Sequence, residues 1–306
     1  MKNLTKLLGQ IVLVCLMLVS SSAWAWWVGG HSVLVRAAVR SLPTEMPEFF
    51  RQGEDAIAHY VYDPDLAKNR AAKYLRKAEH SEHYLDLEFL EGRQLPKSRY
   101  EFIALCQEVG VKPEKVGFVP YSISEWAQRL TIALAEHRRW PNNTFIQQKC
   151  LLYAGFLAHY AQDQSQPLHT TIHFDGRAKS DGKSPHSGIH EKIDSIIEYM
   201  ELQVLDLAKG QEINAFEGDV MDAVLDHFNS SHKMVDTVYE LEKELPEKGQ
   251  ELEAWKISKP VAKFVNERTR AAVQFTAQLY LTTWQQSKSV KFEGWFDRSS
   301  SDQTDE

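Results

Sequence analysis

Cysteine is scarce: the 306-residue chain holds three. One of them, Cys15, sits in an apolar run near the start. That count excludes a cysteine-built zinc site and a disulfide-stapled scaffold. Cys106 and Cys150 are left, enough for one disulfide in an oxidising compartment or for two buried thiols. Glycine-rich phosphate loops and internal repeats are absent. No long block of one charge sign stands out, and the formal net charge is −7. An extended basic surface for nucleic acid therefore gets no support. Strand-like alternation of apolar and polar residues is scarce as well. The run LLGQIVLVCLMLV at 7–19 is short for a bilayer span.

That run has the flanks of a signal peptide. Lys2 and Lys6 precede it, and Ala23 and Ala25 follow in the A-x-A pattern, so cleavage is expected after Ala25. Residues 1–25 then form the leader, the processed chain starts at Trp26, and the protein is exported to the periplasm or the extracellular space. Removal of two lysines and no acid takes the net charge from −7 to −9.

Helical periodicity dominates the remainder. Segments 31–42, 121–140, 143–164, 187–208, 219–245 and 260–287 read as helices, with Ser122 or Ser124 as a cap for the second. Segment 143–164 is the most apolar and is expected to be the most buried. With 43% hydrophobic and 25% charged residues, the chain can bury one sizeable core. The expected fold is all-α, a single multi-helix domain over 26–290, followed by a polar tail at 291–306 of disordered composition. EHRRW at 136–140 reads as a solvated helix end rather than a nucleic-acid contact.

Histidines and aspartates recur at a spacing that brings two ligands to one point. His159 and Asp163 are four apart on the apolar helix, so both side chains share a face. A neutral imidazole nitrogen with a carboxylate oxygen suits a divalent metal. Pro167 helps end that helix, and His169 follows it. GIHEKID repeats the pattern with His190 and Asp194. One such pair is commonplace on a solvated helix. Two on consecutive helices, with His169 between them, match the way helix bundles build metal sites from inward-facing ligands. EHSEHYLDLE offers His80, His83 and Asp86, and YDPDLAKNR offers Asp63 and Asp65, which also suit a turn around Pro64. WWVGGH places His31 five residues after Trp26, whose free α-amino group would be a nitrogen ligand once the leader is removed.

Trp26 with His31, EHYLDLE, HYAQDQSQPLH and GIHEKID together resemble the superfamily that joins bacterial zinc-dependent phospholipases C with fungal zinc-dependent single-strand nucleases. The resemblance runs from residue 26 to 194. It implies a nearly all-helical fold enclosing a trinuclear zinc cluster at the bottom of a cleft. Carried over by position, one zinc ion is held by Asp65, His83, His159 and Asp163. A second takes the Trp26 amine and carbonyl, His31 and a bridging Asp163. The third takes His169, His190 and Asp194. Asp65 is chosen over Asp63, and no position of the pattern calls for His173. The resemblance further implies hydrolysis by a metal-activated water, with Asp65 and Asp163 as catalytic residues and no covalent nucleophile.

The nuclease branch has a Trp-Ala-Asp segment where this chain has YDPDLAKNR. That difference and the acidic net charge favour a phospholipase C-like enzyme acting on phospholipid headgroups. The alternatives are a single-strand-specific nuclease releasing mononucleotides and a non-catalytic zinc-binding helical protein. A phosphodiester substrate, peripheral membrane contact and a monomeric state are the expected associations. A processed chain with one extra residue before Trp26 is expected to lose phosphodiesterase activity; full activity would remove the terminal amine from the ligand set.

Overall fold

A computed structural model describes residues 28–247 and 255–297. The leader, Trp26 and the end of the polar tail lie outside the described residues. The tail's first part, 291–297, includes a single turn at Gly294–Phe296.

The described residues form helices and no strand; two isolated bridges, Leu85–Gly117 and Phe174–Gly176, are the remaining pairings. In chain order the helices include α1 (Val28–Arg40), α2 (Glu54–Tyr60), α3 (Asp63–Ala67), α4 (Lys73–Glu79), α5 (Val119–Arg139), α6 (Thr144–Ser165), α7 (Ile189–Asp194), α8 (Val220–His232) and α9 (Lys259–Gln286). The all-α expectation holds. Among the described residues no helix is long and apolar enough to cross a membrane.

Local chemistry sets the ends of the long helices. Asn143 caps α6 by accepting from the amides of Phe145 at 3.0 Å and Ile146 at 3.2 Å. At the other end Pro167 cannot continue the ladder, and the chain tightens into a 3-10 turn, Pro167–Thr170. The Gln166 side chain accepts from the amide of Leu168. Asp219 caps α8, and Ser258 caps α9, which has Pro260 in its first turn. Helix α5 starts at Val119, two residues earlier than its periodicity suggested, with Pro120 in the first turn. Ser122 is therefore inside the helix, and its hydroxyl bonds Glu82 and the Phe118 carbonyl.

Helix α6 is the central element, packed against α5, α9 and α2. Its residues from Leu157 to Ser165 are all buried. Tyr280 of α9 is fully buried and donates its hydroxyl to the Ala154 carbonyl at 2.8 Å. Cys106 and Cys150 are both buried free thiols, which closes the choice that the sequence left open.

Three expectations are corrected. Segment 187–208 is not one helix but three short ones, Ile189–Asp194, Ile196–Tyr199 and Val204–Ala208. Glu201 lies at φ +49, a left-handed conformation that no helix continues through. Segment 219–245 breaks after His232 and resumes at Val235. EHRRW is not a solvated end: Glu136 and His137 are buried, and Arg138 lies 3.2 Å over the Trp284 ring while donating to the Trp284 carbonyl. The two amphipathic surfaces pair there, which periodicity on one helix does not reveal.

One contact governs how α2 meets α6. A methyl group at Gly155 would fall 2.6 Å from Tyr60 Cβ and 3.0 Å from the Val61 amide nitrogen. Glycine is needed there for close backbone approach rather than for its freedom of φ. Gly155→Ala is expected to cost about 1–3 kcal/mol, as overpacking does in tight cores, measured by urea unfolding. An unchanged midpoint would show that the α2–α6 contact yields at no cost.

Candidate metal centre

The eight described members of the expected ligand set converge. Helix α1 supplies His31, α3 supplies Asp65, and the 3-10 turn His80–His83 supplies His83. Helix α6 supplies His159 and Asp163, the turn after it His169, and α7 His190 and Asp194. All eight are buried, and His31, His159, Asp163 and Asp194 have no exposed surface. Their ligand atoms fall into three groups: His31 with His159 and Asp163, Asp65 with His83 and His159, and His169 with His190 and Asp194. Within each group these atoms lie within 4.8 Å of one another. Trp26 lies outside the described residues. Asp63 is only half-buried and joins no group, and neither does His173.

Asp163 sits between the first two groups. Its Oδ1 is 3.4 Å from His31 Nε2. Its Oδ2 is 2.9 Å from His83 Nδ1 and 3.4 Å from His159 Nε2. Asp65 Oδ1 is 3.7 Å from His159 Nε2 and 4.0 Å from His83 Nδ1, with Lys68 Nζ at 2.5 Å. His190 Nε2 lies 3.1 Å from Asp194 Oδ2, and its ring stacks on His169 with centroids 4.9 Å apart.

An outer layer of acceptors fixes the tautomers. His159 Nδ1 donates to the Val61 carbonyl at 2.8 Å, His169 Nδ1 to the His83 carbonyl at 2.9 Å, and His190 Nδ1 to the Phe174 carbonyl at 3.1 Å. His31 Nδ1 donates to Gln162 Oε1 at 2.7 Å. A ring that donates from Nδ1 keeps its Nε2 lone pair for a ligand. His83 is turned the other way: Nδ1 faces the cluster, and Nε2 lies 3.3 Å from Glu79 Oε1. Gln166 Nε2 donates to Asp194 Oδ1 at 2.7 Å.

Five inward atoms, His31 Nε2, His169 Nε2, Asp65 Oδ2, Asp163 Oδ1 and Asp194 Oδ2, are buried without a hydrogen-bond partner. Each such atom costs about 1–3 kcal/mol, against a net stability of about 5–15 kcal/mol for a typical fold. Divalent cations are the group that this donor set fits. Imidazole and carboxylate donors are zinc ligands, and a cation satisfies the inward lone pairs together.

The electrostatics of the carboxylates and of His169 agree, while His159 and His190 are raised, against burial, by Asp163 and Asp65 and by Asp194 respectively. Burial pushes the Asp65 carboxyl up, but His159, Lys68 and His83 outweigh it and hold it at about 2. Asp163 is held well below the usual carboxylate range against the same burial, chiefly by His159 and His169. Both are ionised at neutral pH. Burial lowers His169 to about 4, so its imidazole is neutral and able to bind metal above that pH.

The cluster opens into a cleft of about 540 Å³, where His83, His169 and His190 meet Lys68, Lys115 and Lys183 and the rings of Tyr84, Phe89 and Phe174. Burial and the neighbouring Glu88 raise the Asp86 carboxyl, which also lines it. The outer partners Gln162, Gln166 and Glu79 were not singled out from sequence; their signal was only proximity to candidate ligands. Glu198 was missed too. Its Oε1 accepts from the Gly30 amide at 2.7 Å at the start of α1. A methyl group on Gly29 would lie 2.8 Å from that oxygen. The Gly-Gly before His31 was the trace that this contact left in the sequence.

Fold and site thus define an all-helical protein with a buried histidine–aspartate cluster suited to divalent metal. No protein-family model matches the chain, and no curated protein matches it in sequence. Among solved structures it is similar to alpha toxin from Clostridium absonum, with 14% identity and a TM-score of 0.45 over 88% of this chain and 68% of that one. A likeness of this size carries nothing about the site, whose reading rests on its own geometry.

His159 belongs to both of the first two groups, and Asp163 faces His31 with Oδ1 and His83 and His159 with Oδ2, so Asp163→Asn is expected to lower the amount of metal held by both groups, read by elemental analysis of protein loaded with zinc. Unchanged zinc content would show that Asp163 does not bridge.

Proposed function

We propose that the protein is an exported zinc-dependent phosphodiesterase, phospholipase C-like in acting on phospholipid headgroups. The observation that carries this reading is the convergence of eight buried histidines and aspartates, three of which, His83, His169 and His190, line a cleft that also presents three lysines. The three groups are proposed to hold three zinc ions, with Trp26 completing the set around His31. Bound there, zinc would acidify water and neutralise charge building on the phosphoryl oxygens.

The chain's own residues do the rest. Asp65 is held ionised, and its Oδ2, which has no hydrogen-bond partner, would accept from the attacking water and orient it. Asp163, with Oδ1 toward His31 and Oδ2 toward His83 and His159, would link the first two groups. Lys68 and Lys115 flank the cleft and bind the phosphate's negative charge. Phe89, under the Lys115 ammonium at 4.3 Å, and Phe174 exclude water from the departing group. No serine or cysteine is needed, since the only described cysteines are buried and their thiols are pushed up by burial.

A second reading, hydrolysis of single-stranded nucleic acid, is favoured by the cleft's three aromatic rings, because rings beside cations also stack bases along a phosphate backbone.

The test is product analysis with processed, zinc-loaded protein, given phosphatidylcholine vesicles and single-stranded DNA in parallel. Release of phosphocholine, abolished by a chelator and restored by zinc, is the expected outcome. Mononucleotides without phosphocholine would transfer the site to the second reading, and no product from either would leave a metal-binding protein. Asp65→Asn is expected to lower kcat by about a hundredfold or more.

A further inference from the structure

Ten consecutive residues, 69–78, are exposed, and no residue of α4 is buried. An isolated helix of seven residues is marginal in water, and its stability normally comes from burying one face. This one presents Tyr74 at 82% and Leu75 at 51% exposure, with Leu66 of α3 at 60% on the same stretch. Around them stand Arg70, Lys73, Arg76 and Lys77, and no acid occurs between Lys68 and Ala78. Lys73 lies 4.9 Å over the Tyr74 ring. The stretch is thus locally cationic in a chain whose net charge is −7. Lys68 and His80, at the two ends of the stretch, both line the cleft over the metal centre.

From this placement we infer that residues 66–78 dock the protein on an anionic lipid bilayer and hold the cleft mouth against it. The inference rests on the phospholipid reading given above and names the surface through which that substrate is reached. Charge and apolarity each select the partner. Lysine and arginine near a bilayer gain from its anionic headgroups, each by about a fivefold factor in partitioning. Tyrosine suits the headgroup level, and leucine side chains gain only by entering the acyl boundary. Aliphatic side chains gain nothing from a phosphate backbone in water, so a bilayer is favoured over nucleic acid. Substrate diffusing in the membrane would then meet the cleft at its edge.

The experiment uses the full processed protein, zinc-loaded, and measures co-sedimentation with phosphatidylcholine vesicles with and without phosphatidylglycerol. The wild type is expected to bind the anionic vesicles and to be released at high salt. Lys73→Gln with Arg76→Gln and Lys77→Gln is expected to weaken that binding by roughly a hundredfold. Tyr74→Ser with Leu75→Ser is expected to weaken it without changing its salt dependence. None of these five side chains lines the cleft or packs in the core, so hydrolysis of bis-p-nitrophenyl phosphate should be unchanged in both variants. Wild-type protein that ignores anionic vesicles, or variants that bind them as the wild type does, would overturn the docking surface. Capture of a labelled single-stranded oligodeoxynucleotide, lost in the charge variant while vesicles are ignored, would assign the surface to nucleic acid. Failure of the wild type on the soluble diester would instead strike the catalytic reading, whatever the vesicles show.

Discussion

Burying ionisable groups is the constraint on which the rest of this structure depends. His159 and Asp163 have no exposed surface and sit in the middle of the central helix. An unpaired charge there would cost several kcal/mol, so every neighbouring element is committed to satisfying it. The carbonyls of Val61, His83 and Phe174 and the amides of Gln162 and Gln166 are spent on that task. What they leave is a set of inward atoms without a hydrogen-bond partner, and that unsatisfied polarity suits the site to a divalent cation.

Packing and chemistry are coupled at Gly155. It lies one helical turn before His159 and lets the end of α2 come against α6. The same approach brings the Val61 carbonyl to 2.8 Å from His159 Nδ1. A core contact that looks purely steric thus sets the tautomer of a proposed ligand. At the other end of the cluster, Glu198 anchors the first amides of α1 and so fixes where His31 enters. The carboxyl of Glu198 is pushed up to about 7 by burial, with the Gly30 amide pulling it back. Both contacts lie outside the ligand set, yet the geometry of the set is built on them.

The surface has an opposite logic. The candidate ligands are buried and open only into the cleft, while the stretch beside the cleft mouth leaves Tyr74, Leu75 and four cations exposed.

The helical class and the spacing of the ligands were legible in the sequence, because both are local. An i,i+4 pair on an apolar helix shares a face by helix geometry alone, and periodicity located α6 and α9 to within a residue or two. The breaks inside 187–208 and 219–245 were not legible, since the apolar period continues across turns that tertiary contacts impose. EHRRW was misread for a related reason: a polar helix end looks solvated until a second surface is seen against it. The facing of His83 through Nδ1, and the backing of the ligands by Gln162, Gln166 and Glu198, belong to the tertiary structure. Each depends on residues tens to more than a hundred and fifty positions apart meeting across the core. The sequence by itself therefore determined which side chains were available and which pairs share a helix face. Only the packing of α1, α3, α6, α7 and the turns that carry His83 and His169 decided that they meet in three buried groups.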